Sequence, residues 1–287
     1  MRRYETPEAL RAAIEDRLRN EGAGSGTDVA RLRRRTVFER LLVRLERASP
    51  GTWVVKGGMA LELRLGGRAR TTRDLDLSVR ANAVLDEVHT LLVDALIEDP
   101  DGDGFEFRLS APTPIAADEA GRPGWTFLTD ARLGGRTFER VKIQIVPRAD
   151  EITGTVRVPL PGALSFAGIE VVEVEVVDPA QHFAEKLHAY TREYGDRPNS
   201  RVRDLPDLVL LIEDGLDPHG AHRAAAHVFE VRGTHPLPVA LPDTPAGWGP
   251  RYAQLAGELD ISARTVDDAM TVVRAFWAQA LATQEGD

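Results

Sequence analysis

Asp74-Leu75-Asp76-Leu77 holds the residues of this chain whose type and spacing best suit chemistry. Side chains two apart on a strand share a face, so both carboxylates project together while the leucines turn toward a core. Two like charges that close call for a counter-charge, and a divalent cation that prefers hard oxygen ligands supplies one. Mg²⁺, or Mn²⁺ in its place, would there grip triphosphate oxygens and neutralise charge developing in phosphoryl transfer. Upstream lies Val54-Val55-Lys56-Gly57-Gly58-Met59-Ala60-Leu61, which reads as strand, diglycine and helix start. Glycines let a backbone approach phosphate closely, and a helix N-terminus offers free N–H groups. No Gly-Lys-Ser/Thr follows a longer glycine loop, so this is not a Walker motif. Taken singly, Asp-x-Asp also fits an edge strand with solvated acids, and a diglycine fits a tight turn.

The elements that must position these residues follow from periodicity. Residues 7–20 and about 28–48 read as helices, the second with Val29, Leu32, Val37, Leu41, Leu42 and Leu45 near helical spacing. Residues 22–27 form a Gly/Ser-rich break, with Thr27 or Asp28 as N-cap. A strand at 52–55, a short helix ending near Leu65, a strand at Asp74–Val79 and a helix at 82–98 come next. Strand patterns dominate 103–177 and helical patterns 179–194, 205–214, 219–230 and 262–284, with a Pro-rich loop at 234–250. The reading is an α+β protein: N-terminal helices over 1–50, an α/β core over 51–177 and a helical part over 178–287.

The stretch KGGMALELRLGGRARTTRDLDLSV resembles the signature of the AbiE-type (AbiEii/AbiGii, MenT-like) nucleotidyltransferase toxins of the DNA polymerase β-like superfamily. The resemblance implies a polymerase β-like core with a mixed sheet. It also implies triphosphate binding at Gly57 and Gly58 with Lys56 beside them, and metal binding by Asp74 and Asp76. Arg70 and Thr72 fall on its basic and hydroxyl positions, while Met59 stands where a small hydroxyl residue is common. A second block, Phe183-Ala184-Glu185-Lys186-Leu187-His188-Ala189 and Arg201-Val202-Arg203-Asp204-Leu205-Pro206-Asp207-Leu208, resembles the family's region that supplies a phosphate-binding lysine, here Lys186, and a catalytic aspartate, here Asp207.

The residues allow this and also a plainer reading. Phe183, Leu187 and Tyr190 make an apolar stripe with Lys186 at its flank. Asp204 and Asp207 are three apart and share a helix face, yet Asp204 before Pro206 also suits an N-cap. One departure stands out. The resemblance implies a third carboxylate on a later strand, but the best candidate here, Phe138–Ile145, presents Lys142 and Gln144 on its polar face, and an amide is neither an anionic ligand nor a base.

Charge is uneven along the chain. The net charge is −9, but residues 1–80 hold 18 Lys+Arg against 11 Asp+Glu, and the remainder 18 against 34. Arg31, Arg34, Arg35, Arg68 and Arg70, together with Arg33, Arg64 and Arg73, are read as an RNA-phosphate surface or, equally, as a solvated face. There are no cysteines, the first residues lack a signal peptide's apolar run, and no stretch reaches membrane-span length. A cytoplasmic protein without a membrane partner is expected. The seven histidines show no zinc spacing, and no hydrolase triad is visible.

By resemblance the chain is a bacterial toxin of a toxin–antitoxin pair, transferring a nucleoside monophosphate from an NTP to RNA. The implied target is the tRNA 3′ acceptor end, where added nucleotides block translation. A cognate antitoxin is implied too, with Thr72 placed where a phosphate would obstruct the metal site. Two alternatives stand beside this. An aspartyl-nucleophile phosphatase would trap phosphate on Asp74. A catalytically weak RNA- or antitoxin-binding protein is favoured by Gln144 and Met59.

Overall fold

The computed structural model describes residues 4–80, 84–115, 122–148, 150–195 and 198–283. Helix α1 (Pro7–Ser25) is capped by Thr6, whose hydroxyl accepts from the Ala9 amide, and α2 (Val29–Ala48) by Asp28, which accepts from Ala30. The expected break at residue 22 comes later. Gly22 stays helical and buried, and the chain turns at Gly26, whose φ of 70° lies in the left-handed region that closes helices.

Strand β1 (Trp53–Lys56) runs straight into α3 (Gly57–Leu65), and β2 (Asp74–Val79) follows. Helix α4 (Leu85–Ile97) carries the helix expected from residue 82, although 81–83 lie outside the described residues. Strands β3 (Phe105–Leu109), β4 (Thr113–Ile115), β5 (Gly124–Leu133), β6 (Arg136–Pro147), β7 (Thr155–Pro159) and β8 (Glu173–Val177) complete one eight-stranded sheet. Helices α5 (Pro179–Thr191), α6 (Asp204–Glu213), α7 (Pro218–Arg232), α8 (Trp248–Glu258) and α9 (Val266–Ala282) follow.

The sheet order is β3-β5-β6-β2-β1-β8-β7, with β4 on β5. Pairs β2–β6 and β1–β8 are parallel and the rest antiparallel, so the sheet is mixed. The acid-bearing strand is therefore central. Its inward residues Leu75, Leu77 and Val79 are buried with Val54, Val55, Ile143 and Ile145 of the flanking strands, against Val37, Phe38, Leu41 and Leu45 of α2. Alternation along β2 then leaves Asp74 and Asp76 on the opposite face. A second apolar cluster gathers α5 to α9 around Phe183, Leu187, Leu208, Val228, Tyr252 and Trp277, and it includes Leu61 of α3 and Ala69. No helix among the described residues is long and apolar enough to cross a membrane.

Candidate active site

Register brings the expected residues together. In the antiparallel pair Lys56 lies opposite Asp76, and in the parallel pair Asp76 lies opposite Gln144 and Asp74 opposite Lys142. The strand-to-helix transition is made by Gly57 at a φ of 57°, a region open to glycine with little strain. A Cβ on Gly57 would collide with the Asp76 carboxylate, and one on Gly58 would lie 2.8 Å from Thr72 Oγ1. Both glycines are thus required by close approach. The Asp76 carboxylate sits over the first turn of α3, where unpaired N–H groups and the helix dipole favour anions.

Burial, and then Asp74, push the Asp76 carboxyl up to about 6, while Arg70, Lys186 and Lys56 pull the other way. That balance is a physical test of fit for a divalent cation. A carboxylate that burial and a like neighbour disfavour as a bare anion gains most from a cation. Asp74 is half-exposed, with Lys142 Nζ 3.5 Å from its Oδ1. The donors present are these two acids; among the described residues no group of three His, Cys, Asp or Glu is arranged to hold a metal ion. Gln144 lies opposite Asp76 across the β2–β6 pair, so the neighbouring strand offers an amide there and no carboxylate. The set fits one ion and its phosphate ligands.

A cavity of about 510 Å³ opens on this arrangement, lined by Lys56, Gly57, Gly58, Arg70, Asp76 and Gln144. Its far wall is α5, which contributes His182, Glu185, Lys186 and Ala189, one stripe at helical spacing. Lys186 is buried and donates to Asp204 Oδ1 at 2.9 Å and Asp207 Oδ2 at 2.7 Å. Asp207 is fully buried, and Arg70 Nε also donates to its Oδ1 at 3.1 Å and Oδ2 at 3.0 Å. Asp204 is not an N-cap: α6 begins at Asp204 itself, preceded by Arg203 with no side-chain cap. The lysine opposite claims its carboxylate instead. Lys56 Nζ lies 2.7 Å from Glu185 Oε1, and burial is the main cause lowering its pKa. Thr72 is 7% exposed and its hydroxyl donates to the Asp74 carbonyl at 2.9 Å, so it braces the turn and does not line the cavity.

The arginines read as an RNA surface are mostly held within the chain. Arg31 and Arg35 both meet Glu62, at 3.1 and 3.3 Å, and Arg33 pairs with Glu15. Arg64 donates to the Val177 carbonyl. Arg68 meets Glu213 at 3.3 Å, and Arg70 is drawn to Asp207. Arg34 is partly buried, and Arg73 is exposed. The cavity instead recruits Arg122, Arg148, Arg192, Arg201 and Arg232, none of which the sequence reading had selected. Their positions are scattered from the segment before β5 to the end of α7, so no local run signals them. Three of them, Arg122, Arg148 and Arg232, surround the buried Glu151.

A model of the family described as nucleotidyl transferase AbiEii toxin, type IV TA system, matches residues 40–279 of the chain. Among solved structures the chain is similar to MenT4, a nucleotidyltransferase toxin from Mycobacterium tuberculosis H37Rv. The TM-score there is 0.60 at 22% identity, covering 94% of this chain and 89% of that one. It is also similar to JHP933 from Helicobacter pylori, with a TM-score of 0.47 at 14% identity, covering 88% of this chain and 94% of that one. The first is a likeness of fold. None of the curated proteins matches.

Proposed function

The chain belongs to the AbiEii family of nucleotidyltransferase toxins of type IV toxin–antitoxin systems, and on that footing we propose that it transfers a nucleoside monophosphate from an NTP to RNA, at the tRNA 3′ acceptor end. The observation that supports this most is the Asp76 carboxylate pressed over Gly57 at the floor of a cationic cavity.

Asp74 and Asp76 would hold Mg²⁺ or Mn²⁺, which when bound supplies charge neutralisation for the triphosphate oxygens. Gly57 and Gly58 let those oxygens reach the N-terminal amides of α3. Lys56 from β1 and Lys186 from α5 both line the cavity and would offset the charge that builds on the departing pyrophosphate. Asp207 anchors Lys186 and Arg70, which both donate to its carboxylate, and so fixes the two cations at the cavity wall. The acceptor hydroxyl oxygen forms a bond to the α-phosphorus, the bond from that phosphorus to the bridging oxygen breaks, and pyrophosphate leaves. The hydroxyl proton passes to water in the cleft, because Gln144 offers no basic group beside Asp76.

Addition at the acceptor end would block aminoacylation and so translation. The antitoxin is the expected counterpart in the cell, and a phosphate on Thr72 would wedge between Gly58 and the Asp74 backbone. The test is incubation of total tRNA with Mg²⁺ and each α-labelled NTP in turn. Label entering tRNA with the native chain and not with Asp76→Ala is the expected result; equal labelling with both overturns the assignment.

A further inference from the structure

A buried histidine at the cavity wall has no part in the scheme above. His182 is 1% exposed and lines the pocket, yet neither ring nitrogen has a hydrogen-bond partner among the described residues. Buried polar groups are ordinarily paired; both ring nitrogens are closed off from solvent, so a partner arriving through the cavity would reach them by a small turn of the ring. Its place on α5 is specific. It shares the stripe with Glu185, which pairs Lys56, and with Lys186, one turn on.

The charges that act on it most are positive, Lys186 from its own helix, Arg64 from α3, Lys56 from β1 and Arg70 from the segment before β2, while Glu185, Asp76 and Asp204 are the acids of the same cavity. Burial first, and then those cations, hold its pKa well below the ordinary histidine range. The ring is therefore neutral without a ligand. The partner such surroundings select is a polyanion, since only a strong negative charge reverses the local field.

We propose that His182 contacts the polyphosphate tail of the nucleotide, donating to a phosphate oxygen and taking up a proton only as that polyanion binds. This rests on the nucleotide-site reading above and assigns one residue within it. A neutral ring adds no charge to the four cations beside it, whereas a permanent cation there would repel them. Nucleotide binding thereby becomes linked to proton uptake, and longer phosphate chains gain more from the residue than a monophosphate does.

The probe is tripolyphosphate without metal, titrated calorimetrically into the full chain near pH 7 in buffers of different ionisation enthalpy. The native chain is expected to take up close to one proton more per ligand than His182→Asn or His182→Gln. Both variants are expected to bind about tenfold to hundredfold more weakly, the scale of one hydrogen bond to a charged group. The same titration of the unaltered protein, followed through its imidazole nitrogen resonances, needs no variant to fold. His182 is expected to move from a neutral to a charged pattern at saturation. Saturable binding with the ring still neutral, or equal proton uptake and affinity in the native chain and both variants, overturns the contact and leaves the nucleotide site standing. No binding at all overturns both.

Discussion

Two basic regions of this molecule look alike in composition and differ in what surrounds them. On α2, Arg31, Arg33 and Arg35 are close in sequence, and each lies against a carboxylate of its own chain, Glu62 or Glu15. Around the cavity, eight Lys and Arg side chains among the described residues share the lining with Asp76, Glu185 and Asp204, with the buried Glu151 and Asp207 behind them, five acids to eight cations. The first region is near neutral and the second is an excess of positive charge focused in a cleft, where fields are strongest. A run of arginines in sequence is thus a poor guide to where a polyanion binds. What matters is which acids the fold brings alongside.

That contrast can be broken most severely at the glycine turn. Gly57→Val places a side chain where the Asp76 carboxylate lies and forces a β-branched residue to a φ of 57°. Transfer activity, measured as label entering RNA, is expected to fall by about a hundredfold to a thousandfold, the scale of losing one preorganised electrostatic contact. Retention of more than a tenth of the activity would contradict the close approach.

A carboxylate that loses its lysine and one that keeps a second arginine should separate next. Lys186→Met leaves Asp204 and the fully buried Asp207 with Arg70 as the remaining cation shown at Asp207, so chemical denaturation should show a loss of about 3–5 kcal/mol. Arg31→Ala removes its bond to the Ala69 carbonyl but leaves the buried Glu62 still paired with Arg35, and a smaller loss of about 1–2 kcal/mol is expected. Equal losses would erase the distinction between the two regions.

A subtler comparison uses substrate affinity. Arg148→Ala at the cavity should raise the KM for NTP or RNA by about tenfold, whereas Arg33→Ala on α2 should change neither beyond about twofold. Steady-state kinetics at fixed salt checks both, and the reverse order would return the polyanion surface to α2.

The smallest effect is one of pH. Asp76 titrates near 6 when folded and at its ordinary 3.8 when unfolded, so between those values the folded chain binds the extra proton. Without metal, stability should therefore fall as pH rises from about 4 to 6 and level off above that. Asp76→Asn should remove this part of the profile, which thermal unfolding across that range measures.

The sequence made the floor of the site readable because strand alternation and a diglycine are local signals. Asp74–Val79 and the turn at Gly57 stand where the pattern put them. Lys186 and Asp207 were readable through resemblance, but their contact with each other, and Arg70's with Asp207, depend on three separate segments. Helix α8 was hidden by Gly247, Gly249 and Pro250, which read as loop. Yet Pro250 sits in the first turn, where proline is tolerated, and Trp248, Tyr252, Leu255 and Ala256 form its buried stripe. His182 lies one turn before Lys186, and that spacing was its only trace in the sequence. The cavity arginines left none, since the fold alone assembles them.

The metal stoichiometry is the sharpest test of the whole scheme. Mn²⁺ is titrated into the full chain with a non-hydrolysable NTP analogue and followed by electron paramagnetic resonance. One bound Mn²⁺ per chain in the native protein, lost in Asp76→Asn, is expected from two carboxylates with the Gln144 amide opposite Asp76. Undiminished Mn²⁺ binding by Asp76→Asn would contradict it.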